Sequence, residues 1–63
     1  MIVRFADADT GTPIYINPEY VMSLRPDPVK IESGSIITLR NGETIRVEGA
    51  HEEVAARLAS TPE

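Results

Sequence analysis

The Asn41-Gly42 dipeptide constrains the fold of this chain more than any other feature of its sequence. Asn-Gly between two alternating runs is the strongest short-range signal for a β-hairpin, because both central residues of a type I′ turn need a positive φ. A second two-residue turn is predicted at Ser33-Gly34. The two turns join three runs of alternating polarity, at residues 29–32, 35–40 and 43–47. We therefore expect a three-stranded antiparallel meander.

Turns of fixed length set the register of the meander, and the register decides which side chains share a face. The Asn41-Gly42 turn, for example, places Thr38 opposite Ile45. The predicted core face is made of six residues: Val29, Ile31, Ile36, Thr38, Ile45 and Val47.

The opposite face of the meander carries a second apolar pair, Ile37 and Leu39, together with Lys30 and Arg46. A short chain buries a thin core, and a chain without cysteine has no disulfide or thiolate metal site to reinforce it. Burial of the apolar pair against a partner would contribute about 1.5–3 kcal/mol for each side chain. These four residues are the candidate interface. The alternative is that the helix or the first two strands cover Ile37 and Leu39 within the monomer.

The first half of the chain contains three more predicted strands, at residues 1–6, 13–16 and 20–25. The segments between them are rich in Asp, Asn, Gly and Pro, which favour turns and loops. Pro13 is compatible with a strand because the first position can lack an N–H.

The chain ends in a predicted helix at residues 49–60, followed by a frayed tail at 61–63. Glu52 and Glu53 lie in its first turn, where the helix dipole favours carboxylates. The predicted fold class is α+β: a curled antiparallel sheet of about five strands with one C-terminal helix. Residues 1–60 form a single domain, since 63 residues leave no room for a second.

The charge balance disfavours binding to nucleic acid, which relies on clustered positive charge. Ten Asp and Glu residues stand against six Lys and Arg, for a formal net charge of −4. No apolar run approaches the roughly 20 residues needed to cross a bilayer, so we expect no membrane association. No targeting segment is recognisable, and the cytoplasm is the expected compartment.

Three short motifs suggest chemistry but fail on closer comparison. Asp9-Thr10-Gly11 spells the aspartic-protease triplet, yet it lacks the apolar framework and the second aspartate which that chemistry needs. Asp7-x-Asp9 begins like a calcium loop, but the position of the bidentate glutamate is Pro18. His51-Glu52 begins like a zinc-protease helix, but Ala55 stands where the second histidine is required. We expect no catalytic, cofactor or metal residues.

Three segments resemble the FlbD-type small flagellar and swarming-motility proteins. The first is the segment 14–21, which opens with an aromatic-apolar strand that ends at Asn17. The second is an apolar-Thr-Leu-x-Asn-Gly hairpin at 35–42, and the third is the helix start Glu52-Glu53-Val54. The resemblance covers nearly the whole chain, although the loop at 7–12 is longer than in that family and 29–33 is an added strand. It implies a non-enzymatic accessory role in motility or a related bacterial assembly, with no catalytic residues to carry over. A phage-borne relative with another role is the alternative origin.

The predicted function is therefore protein–protein interaction by a small bacterial or phage accessory protein. Its partner is a second copy of the chain or another protein. The alternative is a small nucleic-acid-binding regulator that uses Lys30, Arg40 and Arg46, which the acidic balance makes the weaker hypothesis.

Overall fold

The computed structural model describes residues 2–59. Over this range the chain forms five strands, a short 3₁₀ helix and one α-helix. In chain order these are β1 (Val3–Ala6), β2 (Pro13–Ile16), the 3₁₀ helix (Pro18–Tyr20), β3 (Val21–Pro26), β4 (Gly34–Leu39), β5 (Thr44–Glu48) and α1 (His51–Ala59). The prediction of an α+β fold with antiparallel strands and one C-terminal helix is confirmed. The predicted tail at 61–63 lies outside the described residues.

The strands form two antiparallel sheets that share one core. β1 pairs with β2, and β3, β4 and β5 form a meander in that order. An isolated bridge between Asp7 and Val47 joins the two sheets, next to a hydrogen bond of 3.0 Å from the Ala8 N–H to the Arg46 carbonyl. The strands therefore follow one another in the order β2-β1-β5-β4-β3.

The core is built from the inward side of each strand and one face of α1. Side chains alternate along a strand, so every second residue of β1, β2, β4 and β5 points inward. The buried apolar residues are Val3, Phe5, Ile16, Ile37, Leu39, Val47 and Val54. Strand β3 contributes Val21 and Leu24, which are partly buried against this cluster.

The β4–β5 hairpin forms where the sequence predicts it, but the predicted register is wrong by one residue. Ile37, and not Thr38, lies opposite Ile45. A shift of one residue moves every side chain of a strand to the other face of its sheet. Ile37 and Leu39 are consequently core residues, 0% and 8% exposed. Their predicted position on the face opposite the core is therefore wrong, and the alternative holds: both are covered within the monomer by residues of β1, β2 and α1.

The register differs because the turn is longer than a two-residue type I′ turn. The Gly42 N–H donates to the Leu39 carbonyl at 2.9 Å, and the Leu39 N–H donates to the Glu43 carbonyl at 2.8 Å. Gly42 has φ of 92°, whereas Asn41 has a negative φ. A type I′ turn requires a positive φ at both, so the hairpin instead closes through a turn followed by a single left-handed glycine.

The predicted strand at residues 29–32 is also wrong, because this segment is a loop. Strand β3 takes its place beside β4, with Pro26 paired to Ser35, and the Ser33-Gly34 two-residue turn does not form. Val29 and Ile31, which are predicted to lie in the core, are 78% and 57% exposed. The meander therefore exists, but its first strand comes from an earlier part of the chain.

Helix α1 packs on the core through Val54 and Leu58. The Arg57 guanidinium lies 4.7 Å from the centroid of the Phe5 ring and donates a hydrogen bond to the Arg4 carbonyl, which ties α1 to β1. At nine residues α1 is far shorter than the roughly 20 that span a bilayer. Within residues 2–59 no helix could cross a membrane.

Candidate functional site

Asp27 organises the connection between β3 and β4 from a buried position. Asp27 directly follows the last residue of β3, and it is 1% exposed. One carboxylate oxygen, Oδ1, accepts the Val29 N–H at 2.9 Å, while the Asp27 carbonyl accepts the Lys30 N–H at 3.1 Å. A side chain that accepts the amide two residues further on is an Asx turn, which reverses the chain locally. We refer to residues 27–33 as the 27–33 loop.

Arg46 on β5 pairs with the buried carboxylate of Asp27. Its Nε and Nη2 donate to Asp27 Oδ2 at 3.1 and 3.0 Å, and its Nη1 lies 3.8 Å from Asp9 Oδ1. The hydrogen bond from the Val29 N–H and the contact with Arg46 lower the pKa of Asp27, although burial opposes them. Asp27 in turn raises the pKa of Arg46. The pair is therefore fully charged at neutral pH and joins the 27–33 loop to β5.

Gly34 leaves the space that the Asp27 side chain occupies. A Cβ at position 34 would lie 3.1 Å from the Cβ of Asp27 and 3.3 Å from the Cβ of Lys30, which is tighter than ordinary contact. The φ angle of Gly34 is not positive, so the turn geometry does not explain this glycine. The residue that the sequence suggests as a turn glycine is a packing glycine.

The 27–33 loop presents two aliphatic side chains to solvent on an ordered backbone. The Lys30 carbonyl accepts the N–H groups of Ser33 and Gly34 at 3.1 and 2.7 Å, and the Asp27 N–H donates to the Gly34 carbonyl at 3.0 Å. Val29 and Ile31 project from this framework into water. Hydrogen bonds thus hold the backbone of the loop while the side chains of Val29 and Ile31 remain largely exposed.

A groove of about 600 Å³ lies beside the 27–33 loop, and its charged side chains are mostly acidic. Three carboxylates line it from three different elements: Glu32 from the loop, Glu48 from β5 and Glu53 from α1. Lys30 also lines the groove. None of the three glutamates forms an ion pair with another residue of the range 2–59. The charged side chains that line the groove therefore leave it with a net negative charge.

Two hydrogen bonds, one between backbone groups and one from a side-chain hydroxyl, hold the walls of this groove together. The Gly49 N–H donates to the Ser33 carbonyl at 2.8 Å, and the buried Ser35 hydroxyl donates to the Gly49 carbonyl at 2.7 Å. These bonds connect the end of the 27–33 loop to the segment that leads into α1. The positions of the groove and the loop are consequently fixed relative to each other.

The four predicted interface residues separate into two groups in the structure. Ile37 and Leu39 are buried in the core. Lys30 and Arg46 both contact Asp27, the first through its amide and the second through its guanidinium. The two basic residues of the predicted interface therefore meet at the 27–33 loop. The exposed apolar side chains of that loop are Val29 and Ile31, and not the predicted Ile37 and Leu39.

The role of Asp27 is missed when the sequence is interpreted for strands alone. The signal present is Pro26-Asp27-Pro28, because an Asp beside proline favours the start of a turn. The burial of Asp27 and its pairing with Arg46, which is 19 residues away, depend on the register of the sheet. That register is the part of the prediction that is wrong.

The other sequence motifs have local structural roles. Asp7 Oδ1 accepts the N–H groups of Asp9 and Thr10 at 2.8 and 3.2 Å, which closes the β1–β2 loop. His51 begins α1, and its Nδ1 is buried with no hydrogen-bond partner among the described residues. In the part of the chain that the structure describes, no group of three or more His, Asp or Glu side chains is arranged to hold a metal ion.

Comparison of this chain with protein-family models, curated proteins and solved structures finds no match. The resemblance to FlbD-type proteins therefore stays a prediction.

Proposed function

We propose that this chain is a non-enzymatic protein-interaction module and that the 27–33 loop is its contact surface. The supporting observation is the combination of a buried ionic anchor, Asp27 with Arg46, and an exposed apolar tip, Val29 with Ile31. Loops on a rigid scaffold commonly carry binding residues, since the scaffold positions them without constraining their chemistry.

The order of the loop before binding is what makes the contact favourable. A partner that orders a mobile loop has to offset the conformational entropy that the loop loses, whereas a preorganised loop has lost most of it on folding. The Val29 and Lys30 amides are already bonded to Asp27. Removal of Val29 and Ile31 from water would then add favourable free energy, because apolar area leaves solvent.

The resemblance to FlbD-type proteins suggests which partners to test first. If the resemblance holds, the partner is a component of a bacterial motility apparatus or of a related assembly. Self-association through the same loop is the second possibility, and its readout is the mass of the purified protein in solution.

The test compares affinity capture by three forms of the protein, using a lysate of the organism that encodes it. The forms are the natural chain, a Val29→Ser/Ile31→Ser double variant, and Tyr15→Ser, which removes a side chain of similar exposure (65%) from β2. We expect a protein retained by the natural chain and Tyr15→Ser to be lost from the double variant. The purified protein must reproduce this difference in a titration.

Two results would contradict the proposal. One is capture that survives in the double variant, and the other is capture that Tyr15→Ser abolishes equally. Retention of DNA or RNA on a filter at about 50 mM salt would instead favour the nucleic-acid hypothesis. That hypothesis has less support because the guanidinium of Arg46 is bonded to Asp27.

A further inference from the structure

We infer that the partner presents a basic segment whose Lys or Arg side chains enter the groove lined by Glu32, Glu48 and Glu53, beside an apolar side chain that contacts the loop tip. This inference rests on the proposed function and specifies the chemistry of its partner. The groove and the loop tip are neighbours along the chain, since Lys30 and Glu32, which line the groove, directly follow Val29 and Ile31 of the tip.

Charge complementarity is the first argument for a basic partner. Three carboxylates from separate elements converge on the groove, and Lys30 supplies the positive charge among its lining residues. The formal charge of these four side chains sums to −2, since three carboxylates stand against one ammonium. Complementary charge across an interface selects partners and speeds encounter. A Lys or Arg side chain is the group that this groove attracts.

The rigidity of the groove is the second argument. The Gly49–Ser33 and Ser35–Gly49 hydrogen bonds fix the segment before α1 against the end of the loop. The carboxylates of Glu48 and Glu53 are therefore presented from a strand and a helix whose backbones are already connected. A long basic side chain can lay its methylene groups along such a wall and keep its charged end among the carboxylates.

A second copy of this chain fits the same surface poorly. Each copy carries a formal charge of −4, so two copies repel one another at low salt. The guanidinium of Arg46, which contacts the loop, already donates to Asp27. A separate protein with a basic, partly apolar segment is the occupant that the observations favour.

Selection of random peptides displayed on phage, with the full chain as the immobilised target, tests this inference. We expect enriched peptides that contain Lys or Arg next to an aliphatic or aromatic residue. One enriched peptide, made synthetically, is then titrated with variants of the protein at low and high salt.

Three double variants test separately the groove, the loop tip and a control surface. Glu48→Gln/Glu53→Gln should weaken binding by about twofold to fivefold for each carboxylate, and more at low salt than at high salt. Val29→Ser/Ile31→Ser should weaken it by about tenfold or more, because apolar anchors dominate interfaces. Glu19→Gln/Glu43→Gln, which removes two exposed carboxylates outside the groove, should leave affinity unchanged.

The outcomes separate this inference from the proposed function. Peptides that depend on Val29 and Ile31 but carry no basic residues would overturn the inference and leave the proposed function intact. Peptides that bind equally to the Val29→Ser/Ile31→Ser variant would overturn both. An absence of enriched peptides, or a dimer in light scattering that the same double variant dissociates, would overturn the inference as well.

Discussion

Two aliphatic pairs in this chain have nearly the same chemistry and opposite environments. Ile37 and Leu39 are buried in the core, whereas Val29 and Ile31 face solvent. Both pairs lie in alternating sequence next to a glycine that suggests a turn. The difference lies in the backbone: β4 has a strand on each side, whereas N–H groups of the 27–33 loop donate to Asp27 and to the Lys30 carbonyl. Alternation predicts a strand only where a neighbouring strand is available to pair.

The largest effect should come from truncating a member of the buried pair. Ile37→Ala should lower the free energy of unfolding by about 2–5 kcal/mol, because it removes buried methyl and methylene groups and leaves a cavity. That loss is a large fraction of the stability of a small domain. Urea denaturation followed by circular dichroism measures it.

The matched control is Ile31→Ala, the same substitution in the exposed pair. It should change the free energy of unfolding by no more than about 0.5 kcal/mol, as is usual for surface positions. Equal losses at Ile37 and Ile31 would mean that the exposed pair contributes to the core in solution, and the contrast between the two pairs would disappear.

A smaller effect is expected at the turn that sets the register of the buried pair. Gly42→Ala should destabilise the fold by about 1–2 kcal/mol, because an L-residue at φ of 92° is strained. Apart from the adjoining residues of the chain, no atom lies within 4 Å of the added methyl group, so the loss reports the local backbone conformation. Thermal unfolding of Gly42→Ala and Gly42→Asn measures this strain, and Asn, which tolerates this region better, should lose less.

The turn at Asn41-Gly42 shows which part of the fold the sequence predicts: the location of the hairpin, but not its register. The Asn-Gly signal correctly locates a hairpin, and the Glu-rich segment correctly locates α1, because both depend on neighbouring residues. The choice between a two-residue turn and the observed turn depends on the sign of φ at Asn41, which Asn tolerates either way. The observed register buries Ile37 and Leu39 against residues of β1, β2 and α1, and that gain is not visible in the hairpin sequence.

The site was less predictable than the fold for a related reason. Lys30 and Arg46 are recognisable as basic residues, but their meeting around Asp27 follows from β3, and not 29–32, lying beside β4. Because β3 takes the place predicted for residues 29–32, the Asp27 carboxylate is buried and Val29 and Ile31 are exposed. A local error in pairing therefore reversed the predicted environments of Val29 and Ile31 and left the role of Asp27 unrecognised.

A further effect is expected in the acid dependence of stability, since Asp27 anchors the exposed pair. The pKa of Asp27 is lowered in the folded chain below its ordinary value of 3.8. Asp27 therefore contributes stability above about pH 4, and this contribution is lost as the pH falls through the lowered folded pKa. Asp27→Asn should reduce the melting temperature at neutral pH by several degrees and make its decline below pH 4 shallower.

The control for this experiment is Glu19→Gln, which removes an exposed carboxylate that lies outside the loop. Its melting temperature should follow that of the natural chain across the acid range. If Asp27→Asn shows the same decline as the natural chain, the Asp27–Arg46 pair does not hold the 27–33 loop in solution.

The smallest effect should be that of Val29→Ser/Ile31→Ser on the order of the loop itself. The Val29 amide is bonded to Asp27, so its hydrogen exchange should stay as slow in the double variant as in the natural chain. Asp27→Ala, which removes the acceptor, should accelerate that exchange. Faster exchange in the double variant would mean that the exposed side chains help to order the loop. Unchanged exchange would mean that the anchor alone orders it, so that the side chains on the loop can change with the partner while the fold stays the same.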